Sequence, residues 1–180
     1  MAKIRKVLML VENVPAPADR RVWPEALVLR DNGYQVSIIS PKGTTNQQEA
    51  HICLEGIHIY RYRLPAIERK YIGHIAEYSV ALLMTFGLSV KVLFQRGFDV
   101  IHTANPHDTF FILGLFYRLL GKKFIFDQHD LSPELFQVIF KKRAQWIYKV
   151  MRCFEKLSYQ VAHVVITTNE SQKKFAIERG

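Results

Sequence analysis

The 180-residue chain is 49% apolar and 12% aromatic, which excludes a disordered or low-complexity polymer and suits one α/β domain with a real core better than two. Its formal charge of +9 points to an anionic partner surface without choosing among nucleic acid, lipid headgroups and phosphorylated small molecules. Two distant cysteines, Cys53 and Cys153, offer neither a CxxC zinc spacing nor a disulfide framework, so a reducing cytoplasm is the expected setting.

Met1–Lys6 followed by VLMLV imitates a signal peptide, but Glu12 ends the apolar run short of the roughly 7–15 residues of an h-region. Residues 7–11 instead read as a strand covered on both faces. A loop with Pro15 and Pro17 follows, then a helix over about 20–32, with Val22, Ala26 and Leu29 at helical spacing and Gly33 as its left-handed cap. Residues 34–40 form the second strand, 41–56 a loop, and 56–63 an alternating, half-exposed strand. A long helix spans 70–96 and stops at Gly97. Its uncharged stretch Tyr78–Val90 is 13 residues, against about 20 for a membrane span, so a buried or interfacial helix is expected.

FDVIHTA is the next strand, after which Asn105 caps a helix with Pro106 in its first turn. That helix ends near Gly121 and the strand KKFIFD follows. Ser132 and Pro133 open a short helix, a basic helix covers roughly 141–161, HVVITT is a last strand, and Asn169 caps a final helix. Strands alternating with helices predict an α/β fold: one Rossmann-like domain over 1–180, a parallel sheet with helices on both faces.

In such sheets ligands bind outside the carboxyl ends of the strands. After the first strand come Glu12, Asn13 and Asp19-Arg20-Arg21. His102, Asn105, His107 and Asp108 follow the fourth, Asp127, His129, Asp130 and Glu134 the fifth, and Thr167-Thr168-Asn169 the last. The opposite strand ends carry mainly solubilising lysine and arginine. Each signal has a plainer reading beside it. His102 is either a packed strand histidine or a site residue, and His107 a solvent-facing first-turn residue or a neighbour of anion-binding N–H groups. Asp127, His129 and Asp130 are either loop caps or a group able to donate a proton or hydrogen bond. Arg20 and Arg21 either meet phosphate or cover helix backbone. G-x-G-x-x-G, the P-loop and G-x-S-x-G are all absent, which removes those classes.

The stretches KVLMLVENVPAPADRRVWPEALVLRDNGYQVSIISP, FDVIHTANPHDTFFILGLFYRLLGKKFIFDQHDLSPEL and VVITTNES, taken in order, resemble the N-terminal half of GT-B glycosyltransferases of family 4, nearest the bacterial surface-polysaccharide (WbuB-like) branch. The resemblance implies two Rossmann-like domains facing across a cleft, this chain being the acceptor-side one. It also implies a second, nucleotide-binding domain with an E-x7-E motif that these residues do not contain. It further implies transfer from a nucleotide-sugar donor to a saccharide or lipid-linked acceptor, usually with retention and without a metal or other cofactor. The half taken alone is expected to be inactive. Carried over by position, the family's functional histidine falls on His107 or His102, with His107 favoured. Asn13, Arg20, Arg21, Asn105, His129, Asp130 and Glu134 are the expected acceptor-side residues. The first loop, NVPAPADRRVW, lacks the Gly-Gly pair common in the family, so Arg20 or Arg21 would supply charge to phosphate instead.

Location is a separate expectation. Arg61, Arg63, Arg69 and Lys70 precede the apolar stretch of the long helix. Lys141, Lys142, Arg143, Lys149, Arg152 and Lys156 interleave with Trp146, Ile147, Val150 and Phe154. Both patterns suit peripheral attachment at an anionic inner membrane face, and equally a core-packed helix with a solvated charged side. Two other functions fit the residues: a metal-dependent hydrolase using His102, His107, Asp127, His129 and Asp130, and a non-catalytic binding or regulatory domain. Nucleic-acid binding rests on charge alone and is not expected.

Overall fold

A computed structural model of the chain describes residues 5–43, 49–64, 71–105, 108–139 and 145–180. The fold is α/β, with a mostly parallel seven-stranded sheet and helices on it, and the chain divides into two compact units, 1–102 and 103–180.

In the first unit the strands are β1 (Lys6–Leu10), β2 (Gln35–Pro41), β3 (His51–Leu54), β4 (Ile57–Tyr62) and the start of β5 (Val100–Ala104), in the order β3-β4-β2-β1-β5. β1 and β2 run parallel with Lys6 opposite Gln35 and Leu10 opposite Ile39, and β2 runs parallel to β4 with Ser37 opposite His58. The Asp99 amide donates to the Lys6 carbonyl at 2.9 Å, and the Lys6 amide to Asp99 Oδ2 at 3.1 Å, fixing where β5 begins beside β1. Leu8, Met9, Leu10, Ile38, Ile39, Ile57 and Ile59 are fully buried, each large aliphatic side chain contributing roughly 1.5–3 kcal/mol.

Two helices pack on these strands, α1 (Val22–Asp31) and α2 (Tyr71–Gln95). α1 starts two residues later than the sequence implies because Asp19 holds its first turn: Asp19 Oδ1 accepts from the amides of Arg21 (2.9 Å) and Val22 (2.7 Å). Gly33, at φ 83°, terminates it as expected.

Two expectations are corrected here. The loop over 41–56 contains the strand β3, antiparallel to β4 with His51 opposite Tyr60. The connecting turn takes positive φ at both Glu55 (50°) and Gly56 (79°), the backbone of a tight hairpin. β4 is buried rather than half-exposed, because α1 and α2 both pack on it.

The second unit carries the end of β5, a 3-10 turn (Asp108–Phe110), α3 (Phe111–Leu119), β6 (Lys123–Gln128), α4 (Ser132–Ile139), α5 (Gln145–Val161), β7 (Val164–Thr167) and α6 (Glu170–Arg179). Thr103 Oγ1 donates to the Ile125 carbonyl at 3.4 Å and the Asn105 amide to the Asp127 carbonyl at 3.0 Å, so the end of β5 lies along β6. β7 pairs in parallel on the other side of β6, Ile125 opposite Val164. α3 comes close to β6 at Gly114, where a Cβ would stand 2.7 Å from the Phe124 ring. Phe124, Phe126 and Tyr117 fill the core, and Asn169 caps α6 by accepting from the Gln172 amide at 2.9 Å.

Of the helix expected to begin at Asn105, the described residues show a 3-10 turn from Asp108 leading into α3. His107 and Pro106 lie outside the described residues.

Candidate functional site

In the second unit, Asn105 at the end of β5 and the segment after β6 form one hydrogen-bonded cluster. Asn105 is buried, and its side chain holds the segment 129–132. Oδ1 accepts from the amides of His129 (2.7 Å) and Asp130 (3.1 Å), while Nδ2 donates to the Asp130 carbonyl (2.6 Å) and Ser132 Oγ (3.3 Å). A side-chain amide is the one neutral group that can accept and donate in this way at a single position. The residue therefore shapes the strand-end loop.

Within the loop, His129 Nε2 lies 2.6 Å from Oδ2 of the buried Asp127, which fixes the imidazole ring, and the Gln172 side chain donates to the His129 carbonyl at 3.1 Å. Asp130 is exposed. A half-buried histidine oriented by a carboxylate, next to a solvent-facing carboxylate, can donate to and accept from the hydroxyls of a polar ligand.

Beyond this loop, Glu134 belongs to an ion-pair network. Arg179 Nη2 meets Glu134 Oε1 at 2.7 Å, and Arg179 Nη1 meets Glu155 at 3.1 and 3.2 Å. Arg152 Nη1 stands 3.5 Å from Glu134, and its Nε 3.6 Å from Glu155. Burial pushes the Glu155 carboxyl above its ordinary range, with Arg179 opposing. Burial, with Glu155 nearby, also raises Asp108 well above the usual carboxylate range.

In the first unit, the loop after β1 carries Asn13, Arg20 and Arg21, all exposed. Its position is set from beneath. Arg61 Nη2 donates to the Ala16 carbonyl at 3.2 Å, and the Ala16 amide donates to Ser40 Oγ at 3.2 Å. Arg61 is only 6% exposed, which removes it from the set of surface cations expected to meet lipid. Arg69, Lys70, Lys141, Lys142 and Arg143 lie outside the described residues. His102 is buried in β5, with Nε2 4.0 Å from Oε2 of Glu25 on α1.

Sequence reasoning set Glu12 on the strand-end rim but did not carry it into the expected acceptor-side residues. It is 5% exposed at the end of β1, and its carboxyl is raised to about 7, first by desolvation and then by Glu77. Such a group holds or releases a proton near neutrality. Its place directly after a buried apolar run was the available signal.

Comparison with known proteins gives the family and the fold. Residues 19–180 match the family model described as Glycosyltransferase Family 4. Among solved structures, sucrose-phosphate synthase from Thermosynechococcus elongatus superposes with a TM-score of 0.72 at 16% identity, covering 97% of this chain and 45% of that one. A second structure of that synthase gives a TM-score of 0.64 at 14% identity, over 95% of this chain and 80% of that one. The chain thus spans less than half the length of the first of these, and at such identities the likeness is one of fold. No curated protein matches. The family match covers most of the sequence and agrees with the Rossmann-like α/β fold, and on that basis this chain belongs to glycosyltransferase family 4.

Proposed function

We propose that the chain is the acceptor-side domain of a retaining enzyme that moves a sugar from a nucleotide-sugar donor to a saccharide or lipid-linked acceptor. The setting is polysaccharide assembly of the bacterial surface (WbuB-like) kind. The observation that carries this reading is the family-4 match over 19–180 together with the polar cluster at the ends of β5 and β6. In it, His129 and Asp130 orient acceptor hydroxyls, and Asn105 holds both in place. His107, by its resemblance to the family's functional histidine, hydrogen-bonds the transferred sugar or the charge developing on the leaving group, acting by electrostatic stabilisation. Arg20 and Arg21 offer charge to the donor phosphates, with Asn13 beside them. His102 is the alternative histidine. A second, nucleotide-binding domain completes the enzyme, and no metal takes part.

The test uses the complete two-domain enzyme that contains this sequence, wild type and His107→Ala, supplied with a panel of nucleotide sugars and membrane-extracted acceptors. Release of nucleoside diphosphate coupled to acceptor labelling is expected, with turnover lowered about 10²–10³-fold in the variant. Wild-type turnover in the variant removes His107 from the mechanism, and absence of any sugar-dependent release overturns the function.

The same proposal places the enzyme in the cytoplasm, peripherally at the inner face of the cell membrane. The supporting observation is the orientation of α2. Its stretch Ala76–Gln95 is long and apolar enough to cross a membrane, yet its inner face, Ala81, Thr85, Ser89 and Val92, is fully buried, and the helix packs on β2 and β4. The large side chains point outward: Leu83 is 67% exposed and Phe94 85%, with Met84 between them in chain order. A helix committed to a sheet on one side and apolar on the other lies in an interface rather than across it. Flotation with anionic vesicles should carry the protein up and should fail for Leu83→Ser/Phe94→Ser. Equal flotation of that variant defeats the attachment.

A further inference from the structure

The first unit also holds a cavity of about 480 Å³ beside the amino ends of β1 and β2, away from the carboxyl end of β1, where the loop with Asn13 and Arg20 departs. Lys6 and Gln35, paired on the first rung of β1 and β2, form one side, and Lys91, Gln95 and Arg96 at the end of α2 form another. His51 and the buried ring of Tyr60 complete it from the β3–β4 hairpin. Among the described residues, three cations and two amides line the space and no carboxylate does. Lys6 Nζ donates to the Arg96 carbonyl, which anchors the ammonium at the wall and leaves further N–H donors for a ligand.

From this lining we propose that the cavity is a binding site for a phosphate group, carried either by a soluble phosphorylated compound or by a lipid headgroup. The inference is independent of the sugar-transfer reading. Amide and ammonium donors with a guanidinium fork are the donor set that takes up phosphate oxygens by charge-assisted hydrogen bonds. The neighbouring imidazoles report the local field. His51 and His58 both titrate below ordinary histidine, first through burial. Arg96 is the next cause for each, and Lys91 adds to it at His51. A site whose cations disfavour a proton on adjacent rings favours an anion.

The competing use of this surface is a soft metal site from His51, Cys53 and His58, and the geometry argues against it. His58 turns Nδ1 toward His51 Nε2 at 3.1 Å and Nε2 toward Cys53 Sγ at 3.7 Å, so its two nitrogens serve different neighbours. A single ion takes one nitrogen from a ring, and the field of Arg96 and Lys91 repels a dication.

The experiment is calorimetric titration of the full chain with pyrophosphate at low and high salt, beside co-sedimentation with phosphatidic acid vesicles and with phosphatidylserine vesicles of equal charge. Wild type is compared with Lys91→Gln/Arg96→Gln, whose positions are outside the site proposed for sugar transfer. A soluble source is shown by pyrophosphate binding that salt weakens and the double variant loses roughly tenfold or more. On binding, the NMR titration midpoints of His51 and His58 should move upward. A lipid source is shown by preference for phosphatidic acid over phosphatidylserine that the same variant abolishes. Leu83→Ser/Phe94→Ser should spare pyrophosphate binding, which separates this site from the apolar face of α2. Pyrophosphate and vesicle binding both absent, or both unchanged in the double variant with its circular dichroism intact, overturns the proposal.

Discussion

Replacing Glu12 with Gln is expected to stabilise the protein at pH 8 and to leave its stability unchanged near pH 4. Glu12 sits buried at the end of β1, where desolvation and, secondarily, Glu77 raise its carboxyl from 4.5 to about 7. Between those values the folded chain holds a proton that the unfolded chain has released, so stability falls as pH rises through this window. Below it both states are protonated and nothing is lost. Above about 7 both are ionised and the full cost of a buried charge is present. The gap between 4.5 and about 7, at about 1.4 kcal/mol per pH unit, amounts to roughly 3 kcal/mol.

A glutamine keeps the shape and the hydrogen-bonding capacity while removing the charge, so a gain of about 1–3 kcal/mol is expected at pH 8, the lower figure allowing for burial of the amide. Urea unfolding followed by the fluorescence of Trp23 and Trp146, at pH 4 and pH 8, measures it. A variant that is less stable than wild type at pH 8, or that shows the same difference at both pH values, refutes the reasoning. So would a Glu12 carboxyl resonance that titrates in the ordinary glutamate range.

Asn105→Ala leaves the amides of His129 and Asp130 without their acceptor and should cost about 2–4 kcal/mol in thermal or denaturant unfolding, with Asn105→Asp intermediate because it keeps the acceptor and loses the donor. Arg179→Met strips the buried Glu155 of its closest cation and should destabilise by about 3–5 kcal/mol at pH 7, whereas the double change with Glu155→Gln should recover most of that loss. Gly114→Ala drives a methyl into the Phe124 ring and should cost about 1–3 kcal/mol, measurable as a lower urea midpoint with an unchanged slope.

How much of this was legible depends on what each face of an element touches. β1, β2 and β6 announce themselves as apolar runs because both their faces are covered, and Gly33, Gly97 and Gly121 mark helix ends through the positive φ they adopt. β3 was hidden for two reasons. Four residues with a half-exposed pattern carry little periodicity, and the turn beyond them puts a glutamate, not Asn or Asp, at a positive φ before Gly56. The strand-end rule located Asn105, Asp127, His129 and Asp130 without any contact information. It could not give their pairing. Asn105 had the composition of a helix cap, and only the approach of β6 reveals that its side chain serves residues 24 and 25 positions away. The Arg179–Glu134–Glu155 network is invisible for the same reason: its longest link joins residues 45 apart, beyond any local spacing.

α2 shows where hydropathy alone stops. Its central stretch, residues 78–90, carries no charge, which fits a core helix, an interfacial helix or part of a spanning one. The sheet decides among them by taking the small side chains. Ala81, Thr85, Ser89 and Val92, at steps of four, four and three, make the buried face. Ser89 satisfies its hydroxyl within the helix by donating to the Phe86 carbonyl at 2.7 Å, and these small residues let the helix lie close to β2 and β4. Leu83, Met84 and Phe94 then contribute little to the core of this unit, and truncating Leu83 or Phe94 should change unfolding by under about 0.5 kcal/mol, as at an ordinary surface site. A core helix would respond several times more strongly. A near-zero stability effect combined with lost vesicle flotation would assign these side chains to binding, and a large stability effect would return them to the fold.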